Sequence, residues 1–379
     1  MEFTFSDEQN ELRRAARRFL EVESSEERVR AAMETEQGYD SAVWRQLSEE
    51  LAWTALTIPE TYGGLGMSLL DLHPLMEEMG RALLCAPFFS TVCLGANALL
   101  VAGSEELKEE HLAPIAAGEL TATLAYEEKN RKRGPDAVEA GFSREGSDYV
   151  LRGKKHFVID GHSAGLLIIA ARAEKSRGAE GVSLFAVPAD AQGLRRTWTP
   201  TMDQTRRLAS VELDGVKVPA AALLGDEGQG WEACERTLDL ARIALSAEQV
   251  GGAEMCLDTA VEYAKVRKQF GRAIGSFQAI KHKCADMLTM IESARSAAFY
   301  ASALAAQDEP DLRDAASSAK AFCSDTFFHC AAENIQIHGG IGFTWEHPAH
   351  LYFKRAKSTE ALLGDPSFHR ERVAQQMGL

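Results

Sequence analysis

Gly228-Gln-Gly-Trp-Glu-Ala-Cys-Glu-Arg-Thr-Leu-Asp-Leu-Ala-Arg-Ile-Ala-Leu-Ser-Ala-Glu248 is where the pattern of the chain changes. From Trp231 onward small and apolar residues recur at helical spacing, which predicts a long helix near 231–266. Further helical segments follow near 277–306, 310–338 and 348–361, and their small and apolar faces suggest a four-helix bundle. Upstream, the runs Tyr149-Val-Leu151, His156-Phe-Val-Ile159, Leu166-Leu-Ile-Ile169, Val182-Ser-Leu-Phe-Ala-Val187 and Ala209-Ser-Val-Glu-Leu213 are short, β-rich and punctuated by Gly, Asp and Pro, as in a small antiparallel sheet. Farther upstream the helical period is present again. Ser6 with Gln9 forms a capping-box pattern before Leu12, Ala15, Ala16, Phe19 and Leu20, and helices fit 41–52, 68–84 and 90–118. The prediction is a mainly α protein with a β domain: an N-terminal helical domain over 1–118, a middle antiparallel β domain over 119–225 and a C-terminal helical bundle over 226–379.

A chain of 379 residues, 45% hydrophobic and 26% charged, has ample material for a core and none of the signature of disorder. Its 56 acidic and 41 basic residues leave a formal charge of −15, which repels phosphate backbones and anionic lipid surfaces. Nucleic acid and membrane surfaces are therefore poor partners, and any polyanionic ligand needs local Arg or Lys. The seven cysteines show no C-x-x-C pair and no zinc spacing with His, so no metal site is expected and the pattern reads as a reducing compartment. Apolar stretches stay short of the ~20 residues that cross a bilayer. The N-terminal stretch is amphipathic without a signal-peptide core, so cytoplasm is the default expectation.

Three segments carry a resemblance to a known family: Ile58-Pro-Glu-Thr-Tyr-Gly-Gly-Leu-Gly66, Tyr263-Ala-Lys-Val-Arg-Lys-Gln-Phe-Gly271 continuing through Ile274-Gly-Ser-Phe-Gln278, and Gln336-Ile-His-Gly-Gly-Ile-Gly-Phe-Thr-Trp-Glu346 with Pro348. In that order and spacing they resemble the acyl-CoA dehydrogenases over essentially the whole chain. The resemblance implies FAD as cofactor, an acyl-CoA thioester as substrate, an electron-transfer flavoprotein as acceptor, and a tetramer whose subunits complete one another's flavin sites. Matched residue by residue, it places Arg267, Gln269 and Phe270 at the FAD diphosphate and adenine end with Gln278 nearby, and brings Gln336, Gly339 and Gly340 from a partner subunit. Phe157 is implied against the isoalloxazine ring, and Arg242 near the CoA portion. The residue types suit those roles, since a guanidinium fork matches a diphosphate and Gly lets backbone N–H groups approach it.

The chain also departs from the family pattern. Leu363 falls where family members carry the catalytic carboxylate, and Ala241 falls at the site a minority use instead. Ile159 replaces a hydroxyl residue near the flavin. These departures resemble a bacterial subgroup acting on bulky or steroid-derived acyl-CoAs, some of whose members are hetero-oligomers with a related chain. Glu248 is the candidate base: seven positions after Ala241, close to two full turns, it projects from nearly the same face, amid small and apolar residues with no cation at i±3 or i±4. Partial burial without a partner raises such a carboxylate's pKa, which suits proton abstraction near neutral pH. An exposed Glu248, a Glu248 bonded to a neighbouring helix, or a base at Glu360 or Asp365 is the alternative. Two other functions fit the motifs: a non-catalytic subunit supporting a related chain, and a flavin oxidase or monooxygenase.

Overall fold

Ser6 opens the first helix, α1 (Asp7–Glu23). Its hydroxyl accepts from the Gln9 N–H at 3.2 Å, and the Gln9 side chain accepts from the Ser6 N–H at 3.0 Å. The predicted capping box thus satisfies two N–H groups that a helix start leaves orphaned. This computed structural model describes residues 4–379, apart from 130–132, 308 and 310. After α1 come α2 (Glu26–Glu34), α3 (Ser41–Arg45), α4 (Leu69–Arg81), α5 (Asn97–Ala102), α6 (Glu105–Ala116), α7 (Gly230–Val266), α8 (Gln278–Ala306), α9 (Leu312–His338), α10 (Ala349–Ala361) and α11 (Pro366–Gln376). The predicted start at 310 lies outside the described residues. Among these helices none is long and apolar enough to cross a membrane.

The chain groups into two compact units, one of Met1–Ala31, Ser68–Leu84 and Arg242–Leu379, the other of Ala32–Met67 and Cys85–Ala241. In the first, α4 and α7 cross at backbone contact. A Cβ on Gly80 would stand 1.9 Å from the Glu248 carbonyl oxygen, and one on Gly251 would stand 1.7 Å from that of Glu77. Only glycine fits at either position, because any side chain would collide with backbone that cannot yield. The long helix α9 packs against α8 and against both α10 and α11. The sequence reading stopped at 361 and missed α11. Its signal was available: Asp365 accepts the Phe368 N–H at 2.9 Å and Pro366 follows at the first helical position.

The second unit holds a sheet of β1 (Ala122–Ala125), β2 (Gly141–Glu145), β3 (Asp148–Ile159), β4 (Leu166–Ala173), β5 (Val182–Pro188), β6 (Leu194–Thr199), β7 (Leu208–Pro219) and β8 (Leu223–Leu224), ordered β6-β7-β3-β2-β4-β5-β8 with β1 on β4. The expected antiparallel sheet is in fact mixed. Both β1 and β2 pair with β4 in parallel: the β2–β3 hairpin reverses the chain, and a second reversal between β3 and β4 restores its earlier direction. Phe142, Tyr149 and Phe185 centre its core, with ring centroids 5.0–5.7 Å apart. On β3 Lys155, wholly buried, donates to Glu128 at 2.6 Å, while Glu128 accepts the N–H groups of Glu139 and Ala140. Burial holds the Lys155 pKa down against the opposing pull of Glu128. In the same unit the helix predicted over 90–118 is broken. Gly103 takes extended angles, and Ser104 caps a new helix, α6.

Candidate active site

The turn after α10 lies at the position where Leu363 stands. Leu363 and Gly364 both take positive φ, +59° and +109°, and the Leu363 side chain is buried. Two carbonyls of this turn face buried donors. Leu363 O accepts from Arg242 Nε at 3.0 Å and from His369 Nε2 at 3.2 Å, and Gly364 O accepts from Lys320 Nζ at 3.1 Å. Lys320 also donates to Ser324 Oγ at 2.9 Å and to Glu360 O at 3.3 Å. Burial, and then the charges of Arg242, Lys320 and Arg372, push the His369 pKa down to about 2, so the ring is neutral and carries its proton on the nitrogen that faces Leu363. The sequence reading singled out Arg242 and passed over Lys320 and His369. A lone Lys in the small-residue run Ala315-Ala-Ser-Ser-Ala-Lys-Ala321 was the available signal.

Glu248 is corrected in one respect. It is buried as expected, but it is not without a partner: Arg355 Nη1, itself buried on α10, donates to Glu248 Oε1 at 2.8 Å. The residues are 107 positions apart, beyond any search along one helix. The other two candidate carboxylates are also engaged. Glu360 accepts from Lys357 at 2.9 Å, and the exposed Asp365 caps α11.

Arg267, Gln269 and Phe270 stand at the end of α7. They lie in and beside a short hairpin of β9 (Lys268–Gln269) and β10 (Arg272–Ala273), turned by Phe270 and Gly271 at φ +54° and +77°. Arg267 and Gln269 are exposed, and Phe270 is 91% exposed. Gln278, the first residue of α8, is exposed as well. After α9 the chain turns through Gly339, at φ +64°, and Gly340. A Cβ on either would meet nothing within 4 Å, so this backbone is bare, and Gln336 beside it is exposed. Phe343 and Trp345, shortly after it in the chain, are 76% and 54% exposed. In the other unit Phe157 sits on β3 at φ +57°, half-buried, and the Thr123 hydroxyl fixes the strand beyond it by donating to Ile159 O at 2.7 Å. Among the described residues no His, Cys, Asp and Glu cluster could hold a metal ion.

Three family models cover the chain: acyl-CoA dehydrogenase N-terminal domain over residues 6–119, middle domain over 127–216 and C-terminal domain over 228–378. Acyl-CoA dehydrogenase IpdE2 of Mycolicibacterium smegmatis is 35% identical over 98% of this chain and 99% of its own length. Among solved structures, butyryl-CoA dehydrogenase from Megasphaera elsdenii superposes with a TM-score of 0.93 at 29% identity, covering 100% of both chains. The Tcur3481-Tcur3483 steroid ACAD superposes with a TM-score of 0.87 at 30% identity, over 98% of each chain.

Proposed function

The chain belongs to the acyl-CoA dehydrogenase family, and from that premise we propose that it binds FAD and desaturates an acyl-CoA thioester with a bulky or steroid-derived acyl group. The observation that supports this most directly is the exposure of Arg267, of the 91% exposed Phe270 and of the bare backbone at Gly339 and Gly340. A guanidinium, an uncovered aromatic and an open glycine turn fit a dinucleotide presented from outside the chain, which is what a flavin site completed by a second subunit requires.

Bound FAD supplies the two-electron acceptor for the β hydrogen. Arg267 takes the diphosphate, Gln269, Phe270 and Gln278 hold the adenine end, and Gln336, Gly339 and Gly340 act on the flavin of a partner subunit. Phe157 packs against the isoalloxazine ring. Arg242 meets the CoA portion and, through Leu363 O, fixes the turn beside it. Glu248 is the carboxylate that takes the α proton, which requires it to leave Arg355. The acceptor is an electron-transfer flavoprotein, the assembly is a tetramer of this chain alone or with a related one, and the compartment is the cytoplasm.

A second reading has its own support. Since Glu248, Glu360 and Asp365 are all engaged, the chain also suits a non-catalytic role that lends its flavin edge to a related subunit. Anaerobic titration of the purified chain with acyl-CoAs, from butyryl to steroid side-chain thioesters, separates the two. Bleaching of a yellow protein supports dehydrogenation, while stable flavin with no bleaching by any thioester overturns it in favour of the supporting role.

A further inference from the structure

A cavity of about 390 Å³ opens in the helical unit, among the C-terminal half of α1, the end of α4, α7, α9 and the start of α10. Its size is that of a small-molecule site. None of Arg242, Leu363, Arg267, Gln336 or Gly339 lines it, so it is separate from the residues assigned above. Its body is apolar, formed by Leu20, Leu83, Met255 and Leu351 among others. Most polar side chains on its wall are already used: Ser24 donates to Ala82 O at 2.9 Å, Thr259 to Met255 O at 2.7 Å, Tyr352 to Arg81 O at 2.6 Å, and Arg17 holds Glu78 at 2.8 Å.

Asn334 stands apart. Arg81 Nη1 on the same wall also lacks a hydrogen bond, but it lies 3.6 Å from Glu254. Asn334 lines the cavity from the interior of α9, it is 1% exposed, and among the described residues the Cys256 thiol is the one polar neighbour of its amide. That thiol is a weak donor and acceptor, and it leaves most of the amide's hydrogen-bonding capacity to whatever fills the cavity. An Asn inside a helix is disfavoured by propensity, and burying its amide with only a thiol for company adds the cost of desolvating it. A Leu of similar size would carry neither cost. The amide therefore matches an occupant that accepts from Nδ2 and donates to Oδ1.

We propose that this cavity binds a neutral, mainly apolar molecule carrying a carboxamide, lactam or similar paired acceptor and donor, which Asn334 grips in two-point fashion. The charges around it set the sign. Glu21, Glu26 and Glu78 against Arg17 and Arg81 leave the wall with one net negative charge, three minus two. Carboxylates and CoA phosphates are thereby disfavoured, which further distinguishes the cavity from a thioester site.

The test uses cyclohexanecarboxamide as probe and its carboxylate as control, titrated by calorimetry into the purified 379-residue chain. Saturable binding of one probe per chain is expected, with the carboxylate weaker, and Asn334→Leu should weaken the probe at least about tenfold, as for a lost two-point amide contact. Met255→Trp, which fills the space without touching the amide, should abolish binding. Circular dichroism and flavin content show that each variant is folded. Unchanged affinity in Asn334→Leu, or no saturation at millimolar probe with only ordered water on Asn334 in a crystal, overturns the proposal.

Discussion

Arg242 Nε donates to the Leu363 carbonyl oxygen at 3.0 Å, joining the proposed substrate arginine to the turn that follows α10. The bond runs from the middle of α7 to the residue two beyond the end of α10, so neither can shift without the other.

Arg242→Lys keeps the charge and loses the planar fork. kcat/KM for acyl-CoA should fall about 10- to 100-fold, the scale of one charged hydrogen bond. Steady-state kinetics beside an absorbance measure of flavin content checks this, and flavin content should be unchanged. A variant with wild-type kcat/KM would show that neither the fork nor its bond to Leu363 matters to turnover.

Removing one partner of the Glu248–Arg355 pair leaves a buried charge. Arg355→Met should therefore cost about 3–5 kcal/mol, whereas Arg355→Met with Glu248→Leu should recover most of that. Urea melts of the two single variants and the double complete the cycle. Glu248→Gln separates structure from chemistry. If Glu248 is the base, flavin stays bound while bleaching falls by orders of magnitude; bleaching at the wild-type rate removes Glu248 from the reaction.

The buried His369 makes stability fall with acid. Its folded pKa of about 2 lies below the ordinary 6.5, so between those values the unfolded chain binds a proton that the folded chain refuses. The contribution is intact above pH 6.5 and is lost as pH falls below it, at up to about 1.4 kcal/mol per pH unit. Denaturant midpoints from pH 7 to 5 should drop more steeply for the wild type than for His369→Gln, which can still donate to Leu363. Parallel curves would contradict the assignment.

Arg267→Ala and Phe270→Ala should each release flavin. Loss of the guanidinium removes a charge-assisted contact worth roughly 1.5–3 kcal/mol, so retention should fall about tenfold or more. The ratio of flavin to protein absorbance after gel filtration reads it directly. Dilution to monomers should have the same effect on the unaltered protein, and a monomer that keeps one FAD per chain would refute the shared site.

What was legible in the sequence was local. The Ser6 and Gln9 capping box and the span of α7 depend on residues within a turn or two of each other, and both stand as predicted. What was not legible depends on chain that is distant. No rule of spacing along α7 could reveal that Arg355 meets Glu248, and alternation within β1 or β4 could not show that they pair in parallel. The break at Gly103 and Ser104 lies between these cases, since the signal was present but the helical period on either side concealed it. The exposed Phe270 and open Gly339 turn were found through resemblance alone, because nothing in their own pattern separates them from an ordinary loop.

The paired glycines where α4 crosses α7 bear on how the chain can be recombined. With Gly80 against the Glu248 carbonyl and Gly251 against that of Glu77, no side chain lies between the helices to absorb a mismatch. A chimera that joins the N-terminal third of one relative to the remainder of another would therefore keep its register only if both parents supply glycine at this crossing. The segment Ser68–Leu84 is inherited, in effect, with Arg242–Leu379.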